Sequence, residues 1–311
     1  MAIRVMFCGT GWLDMIGHVR TALASAGVDA EVEARDPARP LAPQLAGAEV
    51  ALPSNARFGA EELAAAPRLR LIQQPAVGHE GIDVAAARAR GIPVCNAPGT
   101  NTDAVAQAAL LLVLALARRV PAARRCFQEA RIGAPLGVEL SGRRLGVVGL
   151  GKTGARLADA ARALGMEVEG VRSRSGRAAL LEMLGRADVV SIHCPLTPET
   201  RGLLDEEAFA AMRPGALLVN VARGAIVDRP ALERALASGR LRGAGLDVFW
   251  EEPWDPRDPL FAREDVIALP HVAGSTEEAF ARIAAVVARN TRALLAGAPL
   301  EHRVDGGAPS A

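Results

Sequence analysis

The residues best placed to do chemistry begin with a glycine loop. A strand-like run, LGVVGLG, leads into Gly149-Leu150-Gly151-Lys152-Thr153-Gly154 and then an alanine-rich, helix-like stretch, so GxGxxG stands where strand turns to helix. In that context each glycine has a task. The first permits the tight turn, the second lets backbone approach a pyrophosphate, and the third lets helix pack on strand, while the helix N-terminus aims N–H groups and partial positive charge at an anion. The pattern predicts a dinucleotide site. About 20 residues past such glycines an acidic side chain selects a ribose 2′-hydroxyl, whereas arginine accommodates a 2′-phosphate. Here the next strand ends in Arg172-Ser173-Arg174. Two guanidiniums and a hydroxyl make charge-assisted bonds to a phosphate that a carboxylate would repel, which points to NADP(H), with NAD(H) as the alternative. With roughly one arginine in nine residues, two or more in three chosen positions arise from composition about 4% of the time. Glu169 is the rival acid, but alternation sets it inside the strand and not at its tip. A second pair, Gly9-Thr10-Gly11, reads as a decoy, because the next glycine is Gly17 and Trp12 and Asp14 would crowd or repel a phosphate.

The remaining reactive side chains are sparse. Cys8, Cys95, Cys126 and Cys194 lie far apart, with no CxxC pair and no Cys/His ligand spacing. That pattern fits buried thiols in a reducing compartment and argues against a metal site.

These residues need a scaffold, and the chain supplies a βαβ rhythm. The runs IRVMFCG, AEVALP, LRLIQQ and IPVCNAP each lead into a helix-like stretch or a turn, and the rhythm restarts after Leu140 with RLGVVGLG, MEVEGV, DVVSIHC, ALLVNVA, GAGLDVF and VIALPHV. Near-continuous apolar strands suit parallel sheets covered on both faces, so the expectation is α/β with two doubly wound parallel-sheet domains. Between them a buried helix is expected from a cap at Thr100, Asn101 or Thr102 to about Arg119. A last helix, about Ser275 to Ala296, would return the chain to the first domain, leaving GGAPSA as a frayed tail. The expected domains are 1–99 with 288–311, and 100–287.

Composition removes other classes. The 36 basic and 35 acidic residues nearly cancel, and aromatics make up 3%, which leaves neither the positive field nor the stacking platforms that nucleic acid needs. Lys152 is the sole lysine; the arginine excess reads as genome bias. The N-terminus shows no export signal and the apolar stretch Val105–Ala117 is too short to span a bilayer, so a cytoplasmic protein with no membrane partner is expected.

Taken together, LSGRRLGVVGLGKTG, the run from CPLTPETRGLLDEEAF through VNVARGAIVDRPAL to GAGLDVFWEEP, and PLFAREDVIALPHVAGST closely resemble the D-isomer-specific 2-hydroxyacid dehydrogenases. The resemblance covers about residues 50 to 290. It implies a Rossmann cofactor domain inserted into a flavodoxin-like substrate domain, an active site in the cleft, and a homodimer formed through the cofactor domains. Phosphoglycerate dehydrogenases of the family often carry an added C-terminal regulatory domain, and none is expected here.

By matching motif positions, the resemblance makes Arg223 the substrate arginine, Glu252 its acidic partner and His271 the acid–base histidine. An arginine can hold a 2-oxo acid's carboxylate and polarise its carbonyl, while a histidine delivers the proton that balances an arriving hydride. Val77 and Gly78 match a loop whose N–H groups bind the substrate carboxylate. Asp247 matches a contact to the nicotinamide carboxamide, Cys194, Pro195 and Thr200 the loop near adenosine and pyrophosphate, and Ala222 a backbone contact near the nicotinamide. His193 reads as structural, and His18 and His302 match no motif. Departures from the family pattern are Gln107 in place of a usual glutamate, His79 and Glu80 in the substrate loop, and Trp250, which would wall the pocket or cover a dimer surface. The implied activity is NADP(H)-dependent reduction of small 2-oxo acids, with glyoxylate and hydroxypyruvate leading. The alternatives are an NAD-dependent D-2-hydroxyacid or phosphoglycerate dehydrogenase, and a dinucleotide-sensing interaction protein like the family's corepressors.

Overall fold

The apolar runs fold as parallel strands. In a computed structural model that describes residues 2–306, the chain begins β1 (Ile3–Phe7), α1 (Met15–Ser25), β2 (Ala30–Ala34), β3 (Val50–Leu52), α2 (Ala60–Ala65), β4 (Leu71–Gln73), α3 (Val84–Ala89) and β5 (Val94–Cys95). There follow α4 (Thr102–Ala117), α5 (Val120–Gln128), β6 (Arg144–Val148), α6 (Lys152–Ala163), β7 (Glu167–Val171), α7 (Gly176–Arg186) and β8 (Val189–Ile192). The chain ends α8 (Glu206–Ala211), β9 (Ala216–Asn220), α9 (Arg229–Ala237), β10 (Leu241–Leu246), β11 (Val266–Ala268) and α10 (Glu277–Ala296). Residues 307–311 of the expected tail, and the side chain of Ser173, lie outside the described residues.

Two compact units result, 1–101 with 275–311, and 102–274. The second boundary falls at 274/275 and not at 287/288 as expected, because α10 packs as a whole. Its Phe280, Ile283, Ala284 and Val287 share a core with Met15, Ile16, Val19 and Leu23 of α1, and Thr276 caps its N-terminus by accepting from the Ala279 N–H.

In the first unit the sheet order is β2-β1-β3-β4-β5, all parallel, which is the flavodoxin-like order. Alternation along β1 feeds both layers: Ile3, Val5 and Phe7 meet α1 and α10, while Met6 and Cys8 join Leu63 of α2 and Ala87 of α3.

In the second unit the order is β7-β6-β8-β9-β10-β11, again parallel. Leu145, Val147, Val189, Leu217 and Val219 pack on α4 and α6, and Val148, Val190, Ile192, Leu218 and Leu246 on α7, α8 and α9. Each such side chain contributes about 1.5–3 kcal/mol on burial, so a strand covered on both faces carries apolar residues at nearly every position. The expected buried helix over Val105–Ala117 is buried on one face only. Ala109, Leu112, Val113 and Leu116 of α4 meet the sheet, but Leu111 and Leu114 are 56% and 39% exposed. Among the described residues no single helix is long and apolar enough to cross a membrane; α4 and α5 meet the length and composition together, bent by 53°.

Candidate active site

The glycine loop follows β6, the strand at which the second sheet reverses its direction of growth, β7 lying on one side and β8 on the other. Crevices at such switch points are where open parallel sheets bind ligands. Gly149 has φ +99°, and a Cβ there would lie 2.4 Å from the Cys194 nitrogen, so only glycine lets the loops after β6 and β8 meet. A Cβ on Gly154 would lie 2.4 Å from the Gly149 oxygen and 2.9 Å from Val147 Cγ1, which is the close helix-on-strand packing expected of the third glycine. Around Gly151, the N-cap of α6, nothing lies within 4 Å of a built Cβ. Open space at the second glycine, in front of a helix N-terminus, fits a pyrophosphate. Lys152 opens that helix and is exposed.

The loop after β8 is fixed from within. The Thr200 hydroxyl donates to the Pro195 carbonyl at 2.7 Å and accepts from the Thr197 N–H at 2.7 Å, so it staples the loop. Burial pushes the Cys194 thiol up to about 11, which keeps it from acting as a thiolate nucleophile. Burial likewise lowers His193 to about 4; its Nε2 lies 2.8 Å from the Ser191 hydroxyl, and the neutral ring serves structure.

After β7 the Arg172 N–H donates to Ser175 Oγ at 3.1 Å and a short 3-10 turn covers Ser173–Ser175. The Arg172 and Arg174 side chains are exposed, and neither forms an ion pair among the described residues. Glu169, the rival acid, is occupied: Arg186 donates to its two carboxylate oxygens at 2.5 and 3.2 Å.

The residues matched to proton chemistry sit beyond the C-terminal ends of three adjacent strands. Arg223 follows β9, Asp247 and Glu252 follow β10, and His271 follows β11. Asn220 shapes the first turn, accepting from the Ala222 N–H at 3.0 Å and donating to the Arg223 carbonyl at 2.9 Å. Arg223 Nη1 donates to the Ala222 carbonyl at 2.7 Å. A Cβ on Gly224 would lie 2.1 Å from the Phe249 carbonyl carbon, so the Arg223 segment rests directly on the backbone of the Glu252 segment.

Glu252 uses both oxygens. One accepts from the Phe249 N–H at 3.0 Å and the other lies 2.7 Å from His271 Nδ1. Burial works to raise its pKa, but the hydrogen bond and charge of His271, the Phe249 N–H and the Arg223 charge outweigh it and hold the carboxyl below its ordinary range. His271 itself adopts φ +52°, a left-handed conformation uncommon outside glycine. Asp247 holds the residues after it, accepting from the N–H groups of Val272 at 2.8 Å and Ala273 at 3.0 Å. Burial raises Asp247 to about 6 in spite of those donors.

Val77 and Gly78 belong to the first unit, after β4. Asn96 donates to the Val77 carbonyl at 2.9 Å and Gln74 to the Gly78 carbonyl at 2.7 Å. Among the described residues no hydrogen bond is made by the Val77 or Gly78 N–H, so the loop is pinned by its carbonyls and leaves both donors open. His79 Nδ1 lies 3.4 Å from the Val77 carbonyl. The decoy glycine also finds its explanation: a Cβ on Gly9 would strike Ser54 Cβ at 2.7 Å, and Thr10 N–H donates to Asn55 Oδ1 at 3.0 Å, so Gly9 serves loop packing. Gln107 is exposed on α4. Asn220, Gln74 and Asn96 carried no motif that marks them as loop organisers. A cavity of about 870 Å³, lined by Arg143, Asp188, Gly215, Leu241 and Asp265, opens at the opposite, N-terminal strand ends of the second unit.

A family model described as D-isomer specific 2-hydroxyacid dehydrogenase, NAD binding domain, matches residues 110–273. D-3-phosphoglycerate dehydrogenase of Mycobacterium bovis is 43% identical over 250 residues, covering 76% of this chain and 47% of that protein. Glyoxylate reductase of Korarchaeum cryptofilum is 41% identical over 254 residues, 76% of each chain. The chain thus spans about half the length of the phosphoglycerate dehydrogenases it matches, at 47%. Among solved structures, the TT0316 protein of Thermus thermophilus superposes with a TM-score of 0.86 at 37% identity, covering 97% of this chain and 100% of that one.

Proposed function

The chain belongs to the D-isomer-specific 2-hydroxyacid dehydrogenases, and we propose that it is an NADP(H)-preferring reductase of small 2-oxo acids, glyoxylate and hydroxypyruvate first among them. The observation that carries the reading is the 2.7 Å pair of His271 Nδ1 and Glu252. A carboxylate on Nδ1 fixes the ring's orientation, and proton delivery then falls to Nε2.

When bound, the dinucleotide supplies the hydride. The chain's residues do the rest. Arg223 binds the substrate carboxylate and polarises its carbonyl, and the Val77 and Gly78 N–H groups of the first unit are assigned to substrate binding. His271 gives its proton to the carbonyl oxygen as negative charge develops there, and Glu252 holds the ring in place for the transfer. The Ala222 backbone and Asp247 are assigned to the nicotinamide side. Asp247 also anchors the two residues after His271, so its role in holding the histidine stands beside any contact to cofactor. Cys194, Pro195 and Thr200 are assigned to the adenosine side as a stapled backbone.

The cofactor preference rests on Arg172, Ser173 and Arg174 and on the engagement of Glu169 by Arg186. Reduction as the working direction follows from that preference. A homodimer through the second unit is supported by Phe127, Ile132 and Leu136, which are 85%, 101% and 81% exposed on α5 and the segment after it. An apolar run so exposed favours association. We place the enzyme in the cytoplasm.

Loss of nicotinamide absorbance, with NADPH and NADH compared on glyoxylate, hydroxypyruvate, pyruvate and longer 2-oxo acids, tests the proposal. His271→Asn is the control of choice, since asparagine tolerates the left-handed backbone that alanine would strain. Turnover with NADPH, lost in the variant, upholds the reading; turnover with NADH alone refutes the cofactor choice. Oxidation of D-3-phosphoglycerate with NAD and no reduction of 2-oxo acids would replace the substrate class.

A further inference from the structure

Trp250 stands two residues before Glu252, where its indole would be expected either to wall the substrate pocket or to cover a surface. Its contacts point inward instead. The indole N–H donates to the Val227 carbonyl at 2.6 Å, and the Arg229 guanidinium lies 5.5 Å from the ring centroid. Arg229 is itself held on both sides, donating to Asp258 at 2.5 Å and to Glu233 at 2.7 Å. The neighbouring Phe249 ring packs on Trp254 and Phe261 at centroid distances of 4.5 and 5.1 Å. Between these fixed points the chain makes the turn that presents Glu252, and at Gly224 the backbone beyond Arg223 lies directly against that of Phe249.

We infer that Trp250 is a positioning residue: through its bond to Val227 and the stacked Arg229 it locks the Arg223–Arg229 segment to the Phe249–Asp258 segment, and so sets Arg223 and Glu252 in register with His271. The chemistry suits that role. An indole offers one donor in a fixed direction, so a single bond orients the whole ring, and a planar guanidinium stacks on its face where an ammonium would not. Misplacement of reacting groups by about 1 Å can cost a hundredfold in rate.

The inference rests on the function proposed above, and its test separates the two. Trp250→Phe keeps the ring and deletes the donor. The expected result is a kcat lower by roughly ten- to a hundredfold for every 2-oxo acid alike, with their order of preference unchanged and the pH limb of kcat displaced. Arg229→Met should act in the same direction and Arg229→Lys less, a graded series that survives if the tryptophan variant fails to fold. As a readout independent of turnover, the downfield proton of the His271–Glu252 hydrogen bond in NMR should move or broaden in Trp250→Phe and in Arg229→Met. An altered preference between short and long acids with unchanged kcat and pH profile would make Trp250 a pocket wall and overturn the inference. So would an unmoved NMR signal in both variants. A wild-type protein that reduces no 2-oxo acid would refute the functional reading, while the NMR signal would still decide this one.

Discussion

Replacing Arg172 and Arg174 together by alanine should change the cofactor and leave the chemistry alone. Both side chains are exposed and neither holds a carboxylate among the described residues, so their removal breaks no ion pair and should alter stability by no more than about 0.5 kcal/mol. Exposure also decides which dielectric applies. A guanidinium about 5 Å from a doubly charged phosphate, in water at physiological ionic strength, strengthens binding roughly fivefold, and two act together for roughly twenty-five-fold. NADH carries no 2′-phosphate, so its KM should stay within about twofold. The assay is the KM for each cofactor at saturating glyoxylate, repeated at about 1 M salt, where the shorter screening length should shrink the NADPH effect to roughly threefold. Equal losses for both cofactors would mean that the arginines hold the loop and not the phosphate. No loss for either would remove the argument for NADP(H).

Three further outcomes follow from the site. Gly151→Ala should fold as the parent does, since nothing lies within 4 Å of the added Cβ, yet lose dinucleotide binding by at least about tenfold in a fluorescence titration; normal binding would show that no pyrophosphate approaches there. Asp247 titrates at about 6 in the folded protein, against about 3.9 in an unfolded chain. The native state therefore binds more protons between those values, and this group's contribution makes stability fall as pH rises from about 4 to 6, by on the order of 2 to 3 kcal/mol. Urea midpoints for Asp247→Asn should lack that slope, and parallel curves for the two proteins would refute the assignment. With its thiol held at about 11, Cys194 should react with a disulfide reagent at pH 8 at least about tenfold more slowly than a free thiol, and Cys194→Ser should retain activity; a fast, activity-linked reaction would contradict this.

The second unit was the more legible in sequence. Its four central strands, β6, β8, β9 and β10, are buried on both faces, so their apolar runs stand out without help from alternation. By contrast β2 is an edge strand paired only with β1; with Glu31 and Glu33 in it, no apolar run announces it. The helix α5 was missed for a related reason, since arginines and exposed Phe127 obscure its buried Ala122 and Cys126. The boundary after Gly274 depends on α10 meeting α1, a long-range packing fact that local pattern does not carry. At the site, the glycine loop was visible because strand, turn and helix signals coincide. The amides of Asn220, Gln74 and Asn96 were not, because their work is to bond carbonyls and N–H groups of loops whose paths exist only after folding. Trp250 showed the limit most clearly. Its residue type suggested a surface or a wall, and only the Val227 carbonyl and Arg229 reveal the inward direction of the ring.

Lys152, exposed at the first turn of α6, is the chain's single source of an ε-amine. Arginine elsewhere does the work that lysine shares in most proteins, so side-chain acylation has one address, and that address is the glycine loop. A lysine-specific protease has one bond to cut, after residue 152, and yields two fragments whose appearance reports access to the loop. A dye or a biotin ester placed on that amine becomes a reporter at the mouth of the cofactor crevice without any engineered cysteine. Protection of the amine by dinucleotide can then be followed by mass spectrometry in a mixture of proteins, before any substrate is known.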